Sequence, residues 1–574
     1  MTWDSLSLTR LIDAAAGRRP VDLCIRGCRV VNVFTGRIET CDLAVHEGWI
    51  AGLGEYEALL NIDAEGMYVC PGFIDGHIHI ESSLLHPAQF CAAVLPWGTS
   101  AVAADPHEIA NVLGVEGLRF FLDVAHGLPL DIYFNLPSCV PASPLETSGA
   151  RLRAADLATL ASDPNILGLA EVMNFPGVIY ADPEVLDKLI LFQSRVLDGH
   201  APQLSGRGLN AYLAPGIGSD HECTSEAEAR EKLARGMTIM IREGSQSKDL
   251  ASLLPVVDDH SWPRCIFVSD DRHPDDLFRE GHMNAIVNRA MDLGLDPVRA
   301  IAMATWNPAQ YFRMPRRGAL APGYRADFSM SPTLNPWTPK RVFKGGMEVA
   351  RDGALLADPA LWPQPAAPAS PMHIVDLSVE HLRVPAKNGK LRVIGVQEGS
   401  LLTRKMLFDP NVVDGFAVSD VKRDILKLAV YNRYVPGRPP AVGFVHGLGL
   451  REGAIATSVA HDSHNVIVAG VSDAAMVRLV DAIRENGGGM AIGGAEGPLD
   501  ILPLPIAGLM SDQPLDRVIE SLGALKARAE AFGSCLRNPF MALSFLALPV
   551  IPELKLTDLG LVDASAFSLT SLFE

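Results

Sequence analysis

Between residues 70 and 316 the chain alternates short, continuously apolar runs with stretches of helical spacing. The runs cover 71–77, 99–105, 131–136, 166–171, 195–200, 216–221, 237–242 and 265–270. Runs that are apolar throughout, rather than at every second position, predict strands covered on both faces. Eight of them, with helical spacers such as 226–235 and 283–293, predict a (β/α)8 TIM barrel over 71–316, with a doubly wound open sheet as the alternative. Residues 21–69 read as short strands punctuated by Gly27, Gly36, Gly48 and Gly54, and a similar piece returns at 318–353. These flanks predict one composite β-sandwich domain built from 1–70 and 317–357. A Pro- and Ala-rich stretch, 358–371, reads as a linker. Strands and helices alternate again over 372–574, which predicts a separate C-terminal α/β domain.

The 574 residues are ample for three such units, and 48% hydrophobic with 20% charged residues is the balance of a globular protein. A formal net charge of −18 disfavours nucleic acid or an anionic membrane as a partner. The first ten residues carry no basic stretch followed by an apolar one, and no run approaches the ~18 apolar residues of a membrane span. A cytoplasmic protein is therefore expected. The nine cysteines are scattered, mostly within apolar stretches, as buried reduced thiols are. Cys24 and Cys28 are closely spaced but lack the second pair that a structural zinc site requires.

Catalytic side chains of a (β/α)8 barrel sit at the carboxyl ends of its strands. The first run ends in His77-Ile78-His79, and residues two apart on a strand face the same side, so both imidazoles can share one ion. Five of the other runs end in Asp105, Glu171, His200, His221 and Asp270. Nitrogen and oxygen donors gathered at one mouth predict a metal centre, and there are too many for one tetrahedral ion. Two ions about 3.5 to 4 Å apart would use them all, with Glu171 as the natural bridge because a carboxylate can offer one oxygen to each ion. Imidazole and carboxylate suit zinc, iron or manganese equally.

Several motifs are longer and more specific. They are Pro71 to Ser83 around the His pair, Ala104-Asp105-Pro106-His107-Glu108, Gly199-His200-Ala201-Pro202, Ser219-Asp220-His221-Glu222, Arg242-Glu243-Gly244-Ser245, Ser269-Asp270-Asp271-Arg272 and Val459-Ala460-His461-Asp462-Ser463-His464-Asn465. With them the chain resembles the amidohydrolase superfamily over about 20–355, and the bacterial adenine deaminase family over nearly its whole length. The resemblance implies hydrolytic deamination of adenine to hypoxanthine and ammonia, a step of purine metabolism, through a hydroxide bridging two divalent ions. Manganese is the expected metal, with iron and zinc as alternatives. It also implies that His77, His79 and Asp270 hold one ion, that His200 and His221 hold the other, and that Glu171 is shared. Asp270 is then the general acid and base. Glu81 is a proton donor to the ring nitrogen, or else a partner of a metal-bound His.

Ser82, Asp105 and His107 are candidate purine contacts, with turn or ligand support as the alternative for the latter two, and Arg242 and Glu243 either read the purine edge or pair at the barrel rim. His461 to His464 is a lid, a subunit contact or a structural turn. A homo-oligomer, a dimer or larger, is expected. The fourth run ends without a Lys, which argues against relatives that hydrolyse cyclic amides through a carboxylated Lys. Such a cyclic-amide hydrolase, a deaminase of a modified 6-aminopurine, and a non-catalytic scaffold are the alternatives in function.

Overall fold

The computed structural model describes residues 4–363, 365–375 and 377–574. All eight apolar runs form strands: β1 (Phe73–Ile78), β2 (Thr99–Ala104), β3 (Asp131–Leu136), β4 (Ile166–Val172), β5 (Val196–Gly199), β6 (Ser219–Asp220), β7 (Thr238–Arg242) and β8 (Cys265–Val268). They pair in parallel, β1 through β5 in one ladder and β6 through β8 in another. Backbone hydrogen bonds close both seams. Asp270 donates its N–H to the His77 carbonyl at 3.0 Å, His79 donates to the Asp270 carbonyl at 3.3 Å, and Gly218 donates to the Leu197 carbonyl at 2.9 Å. The barrel therefore closes, and one closure lies on the backbone of three expected site residues.

The side-chain alternation of the strands sorts the core into two shells. Met240, Ile266, Val268, Ile74 and Ala101 point into the barrel and pack with Phe312 and Met314 at its lower end. Their neighbours Ile239, Ile241, Cys265 and Phe267 point out against the surrounding helices. Each such aliphatic or aromatic side chain stabilises by about 1.5 to 3 kcal/mol when fully buried. Two glycines let strands approach closely beside the site: a Cβ on Gly168 would lie 2.0 Å from the Val196 carbonyl oxygen, and one on Gly199 would lie 2.0 Å from that of Ser219.

The two flanks meet in one nine-stranded sheet, where Phe328–Ser331 pairs antiparallel with Tyr68–Pro71. The long strand Val21–Asn32 is bulged between Ile25 and Cys28, so its first half pairs with Ala58–Asp63 and its second with Tyr68–Pro71. Stacked Phe328 and Phe343 centre its core. All nine cysteines are free, seven of them buried; burial pushes the Cys28 thiol up to about 12.

The C-terminal unit is built on an eight-stranded sheet with helices Asp473–Glu485 and Leu515–Ala531. Its helix-and-sheet composition is as expected, but its strands run antiparallel. Leu391–Gly395 and Ala441–His446 form the one parallel pair of this sheet among the described residues. One face packs on helix Asp473–Glu485, and the other joins a core that continues into the barrel through Ile78, Leu84 and Phe90. Polar contacts fasten the two bodies: Ser511 N–H to the Leu84 carbonyl at 2.8 Å, Lys526 Nζ to Asp275 Oδ2 at 2.9 Å, and Asn465 Nδ2 to the Thr147 carbonyl at 2.8 Å. No helix among the described residues is long and apolar enough to cross a membrane.

Candidate metal centre and substrate pocket

The six expected ligands converge at the barrel mouth. His77 and His79, on either side of Ile78 at the end of β1, bring their Nε2 atoms to 3.2 Å of each other. Asp270 follows β8 at φ +55°, a left-handed backbone that is costly for a residue with a Cβ. Its Oδ1 lies 3.3 Å from His79 Nε2 and 3.7 Å from His77 Nε2. On the far side, Glu171 at the end of β4 sets Oε2 at 2.7 Å from His200 Nδ1 and 3.0 Å from His221 Nε2. Its other oxygen, Oε1, turns back to His79 Nε2 at 3.5 Å. Glu171 thus offers one oxygen to each half of the cluster. The His221 ring stacks on His77 at 4.2 Å.

The donor chemistry fits divalent cations. His79 donates Nδ1–H to the Asp105 carbonyl at 3.0 Å, which leaves Nε2 a bare lone pair facing Asp270 and Glu171. The combinations His77, His79, Asp270 and His77, Glu171, His221 each bring donor atoms within 4.8 Å of one another. Two further combinations extend the set: His79, Asp105, His107, Glu171, and His200, His221, Glu222. A separate cluster, Glu108, His461 and His464, is equally tight but differs in chemistry. The Ala460 N–H donates to His464 Nδ1 at 3.3 Å, so the proton of the neutral ring sits on Nε2 and that nitrogen cannot ligate.

The electrostatics follow from burial and proximity. Burial opposes ionisation of Glu171, but the His221 and His200 imidazoles outweigh it and hold the carboxyl well below its ordinary range. Asp270 is lowered in the same way by His79 and Arg242. Burial lowers His77 well below the usual imidazole value, with His221 and His79 adding to the effect. His221 is pushed up to about 9, because Glu171 outweighs its burial.

The other expected residues divide. Asp105 and His107 pair at 3.2 Å beside the centre, and His107 Nδ1 lies 3.6 Å from Glu171 Oε1. Arg242 lines the cavity, but its buried guanidinium is engaged by Glu222, by Asp249 at 3.0 Å and by Asp270 at 3.3 Å. Glu81 does not line the cavity; it accepts the Ile109 N–H at 3.0 Å, and burial with Glu108 nearby pushes it up to about 8. Ser82 donates toward Glu108 at 3.1 Å and Asp271 at 2.5 Å, behind the cavity wall. Glu243 faces elsewhere, its backbone bridged to Lys248.

Cavity residues given no role of their own in the sequence reading are Glu108, Glu222, Asp271, Met173 and an apolar roof of Leu401, Phe545, Leu548, Val550 and Ile551, while His461 and Asp462 line the cavity from the segment expected as a lid, subunit contact or turn. The first three directly follow His107, His221 and Asp270, and that adjacency was the available signal. The roof comes from the C-terminal domain and carried none. An apolar slot over a polar centre suits a flat aromatic ring. Beyond the roof a cavity of about 670 Å³ opens between the barrel loops and the C-terminal domain, sharing Glu222, Arg242, Leu401, Val550 and Ile551 with the inner pocket.

Comparison with known proteins agrees with this architecture. The amidohydrolase family matches residues 68–349, and the adenine deaminase C-terminal domain matches 400–568. An adenine deaminase of Syntrophobacter fumaroxidans is 68% identical over 574 residues, covering 100% of both chains. One of Desulfatibacillum aliphaticivorans is 48% identical over 567 residues, covering 98% of this chain and 99% of its own. A crystal structure of an adenine deaminase aligns at 18% identity and a TM-score of 0.44, covering 57% of this chain and 99% of its own, too distant to bear on chemistry. The full-length identity to these relatives, with both halves of the chain matched, makes this protein a member of the adenine deaminase family of amidohydrolases.

Proposed function

We propose that this chain hydrolyses adenine to hypoxanthine and ammonia. The observation that carries the reading is the buried cluster of four imidazoles and two carboxylates, with one Glu171 oxygen turned to each half, beneath an apolar roof. The family uses divalent metal, and the donor set suits two ions: His77, His79 and Asp270 for one, His200 and His221 for the other, Glu171 between them. Manganese is the proposed metal, with iron and zinc as alternatives. Such ions supply the positive charge that makes water a nucleophile near neutral pH.

The reaction forms a C6–O bond and breaks the bond from C6 to the exocyclic nitrogen; of the two protons of water, one ends on the departing amine and one on N1. Asp270 is the proposed carrier to the amine, since its carboxylate faces the cavity between His79 and Arg242. Arg242 keeps that carboxylate ionised and oriented rather than reading the purine. Asp105 fixes His107 beside the centre. Glu81 is best supported as a positioning residue that holds the start of helix His107–Ala125, and so His107 and Glu108, through the Ile109 N–H. Ser82 acts likewise through Glu108 and Asp271. Nothing in the geometry gives Glu243 a role.

Free thiols fit a reducing compartment, and we propose a cytoplasmic enzyme. Exposed apolar side chains such as Leu59, Tyr180 and Leu361 offer area for a homodimer or larger assembly, checked by sedimentation. The unit map of 1–70 with 317–357, 71–316 and 372–574 is checked by limited proteolysis within 358–371. The deciding assay is ammonia release from adenine after separate loading with manganese, iron and zinc. Metal-replete protein that releases none would overturn the proposal.

A further inference from the structure

His461 belongs to the C-terminal domain, yet it forms part of the wall of the barrel's catalytic cavity. It is 5% exposed, and both its orientation and its depth are fixed. Nδ1 lies 3.2 Å from Glu108 Oε1, and the ring stacks on Phe545 at a centroid distance of 4.3 Å and an interplanar angle of 8°. Glu108 is itself held, at 1% exposure, by the Ser82 hydroxyl. A carboxylate accepts and does not donate, so Nδ1 carries a proton committed to Glu108, and Nε2 is the nitrogen left for the cavity.

His461 stands apart from the metal ligands. His107 lies 3.6 Å from Glu171, Asp462 lies 3.8 Å from His107, and His461 lies 3.9 Å from Asp462. In adenine the edge opposite C6 carries the N3 acceptor and the N9–H donor, of which only N9–H can meet an unprotonated Nε2, and N9 is where a substituent would project.

We infer that a purine with C6 at the metal centre turns its opposite edge to His461, and that His461 is a specificity-determining residue whose Nε2 accepts a hydrogen bond from N9–H, so that the C-terminal domain selects an N9-unsubstituted base. The inference rests on the adenine reading above. A site built to pair with a polar edge discriminates strongly against analogues that lack or block it, because its own polar group is then left unpaired. The Phe545 stack and the Glu108 bond keep the imidazole rigid, which sharpens that discrimination.

The test compares wild type with His461→Asn, which keeps a nitrogen near Nδ1 for Glu108 but loses Nε2, and with His461→Gln, whose amide oxygen can accept a hydrogen bond near the Nε2 position. Steady-state kcat and KM are measured for adenine, 3-deazaadenine and 9-methyladenine on manganese-loaded protein, together with metal content and the dissociation constant for hypoxanthine. His461→Asn is expected to raise KM for adenine and to weaken hypoxanthine about tenfold, an ordinary hydrogen bond, with metal content unchanged and kcat within a few-fold. Its preference for adenine over 9-methyladenine should shrink by a similar factor, its preference over 3-deazaadenine, which keeps N9–H, should not change, and His461→Gln should recover most of the lost binding and discrimination. Should His461→Asn fold poorly, as judged by thermal unfolding, His461→Ser replaces it with the same expectations. Variants that keep wild-type KM and wild-type discrimination, while wild type deaminates adenine, overturn the inference alone. Wild type that releases no ammonia from adenine overturns the adenine reading instead.

Discussion

Glu171→Gln is the sharpest perturbation of the centre. The carboxylate is 4% exposed and, among the described residues, is the one that turns an oxygen to each half, 2.7 Å from His200 and 3.0 Å from His221 through Oε2, and 3.5 Å from His79 through Oε1. Glutamine preserves shape but removes the charge, and its amide N–H groups face imidazole nitrogens. Breaking a buried charge pair by neutralising one partner costs about 3 to 5 kcal/mol. At about 1.4 kcal/mol per factor of ten, metal affinity should fall between about a hundredfold and a few thousandfold. The assay is elemental analysis after graded dialysis against a chelator, with ammonia release measured on the same samples. The variant should lose metal at chelator concentrations that leave wild type loaded, and activity should fall in parallel. Two retained ions per chain with wild-type turnover would refute the shared-carboxylate reasoning.

Three further outcomes follow from the same geometry. Asp270→Asn should keep much of its metal while kcat drops by about 10² to 10⁴, the usual contribution of a positioned acid or base; equal loss of metal and turnover would reduce Asp270 to a ligand. Lys232→Met should lower stability by about 3 to 5 kcal/mol in denaturant unfolding. It strands the buried Asp220 carboxylate 2.9 Å away, which accepts the Ala201 N–H beside His200; an unchanged midpoint would contradict this. Lys555 is buried, donates to the Leu401 and Phe545 carbonyls, and is pushed down to about 7 by burial. Between that value and its ordinary 10.5 the unfolded chain binds the extra proton, so wild-type stability should rise with pH from 7 to 9 relative to Lys555→Met, by about 1.4 kcal/mol per pH unit. Parallel stability curves for the two proteins would refute it.

The barrel was legible because its strands are covered on both faces and so read as short apolar runs, seven of the eight ending in a polar residue. In the C-terminal domain the same apolar pattern leaves the strand direction open. Ile425–Tyr431, Ala454–Thr457, Val466–Gly470 and Gly489–Gly493 are buried throughout, because helix Asp473–Glu485 covers one face of their sheet and the core shared with the barrel covers the other. An antiparallel sheet sandwiched in this way carries the continuous apolar pattern expected of a parallel one. Arg242 was placed correctly at a strand end, but its engagement by Glu222, Asp249 and Asp270 depends on loops whose paths no local pattern encodes. Glu81 shares the motif of His77 and His79, yet the 3₁₀ turn Ile80–Ser83 swings it under the next helix and away from the cavity.

By itself the sequence determined the eight strands, the composite flank and the six donors at the barrel mouth. Strand periodicity and residue chemistry are local properties, and the barrel topology converts strand ends into a common site. The tertiary structure alone decided which oxygen of Glu171 faces which half, that Arg242 is bound by carboxylates, and that Glu108 of the barrel meets His461 of the C-terminal domain under Phe545. Those contacts join segments far apart in the chain, and their pairing is fixed by how two cores fuse rather than by any spacing along one of them.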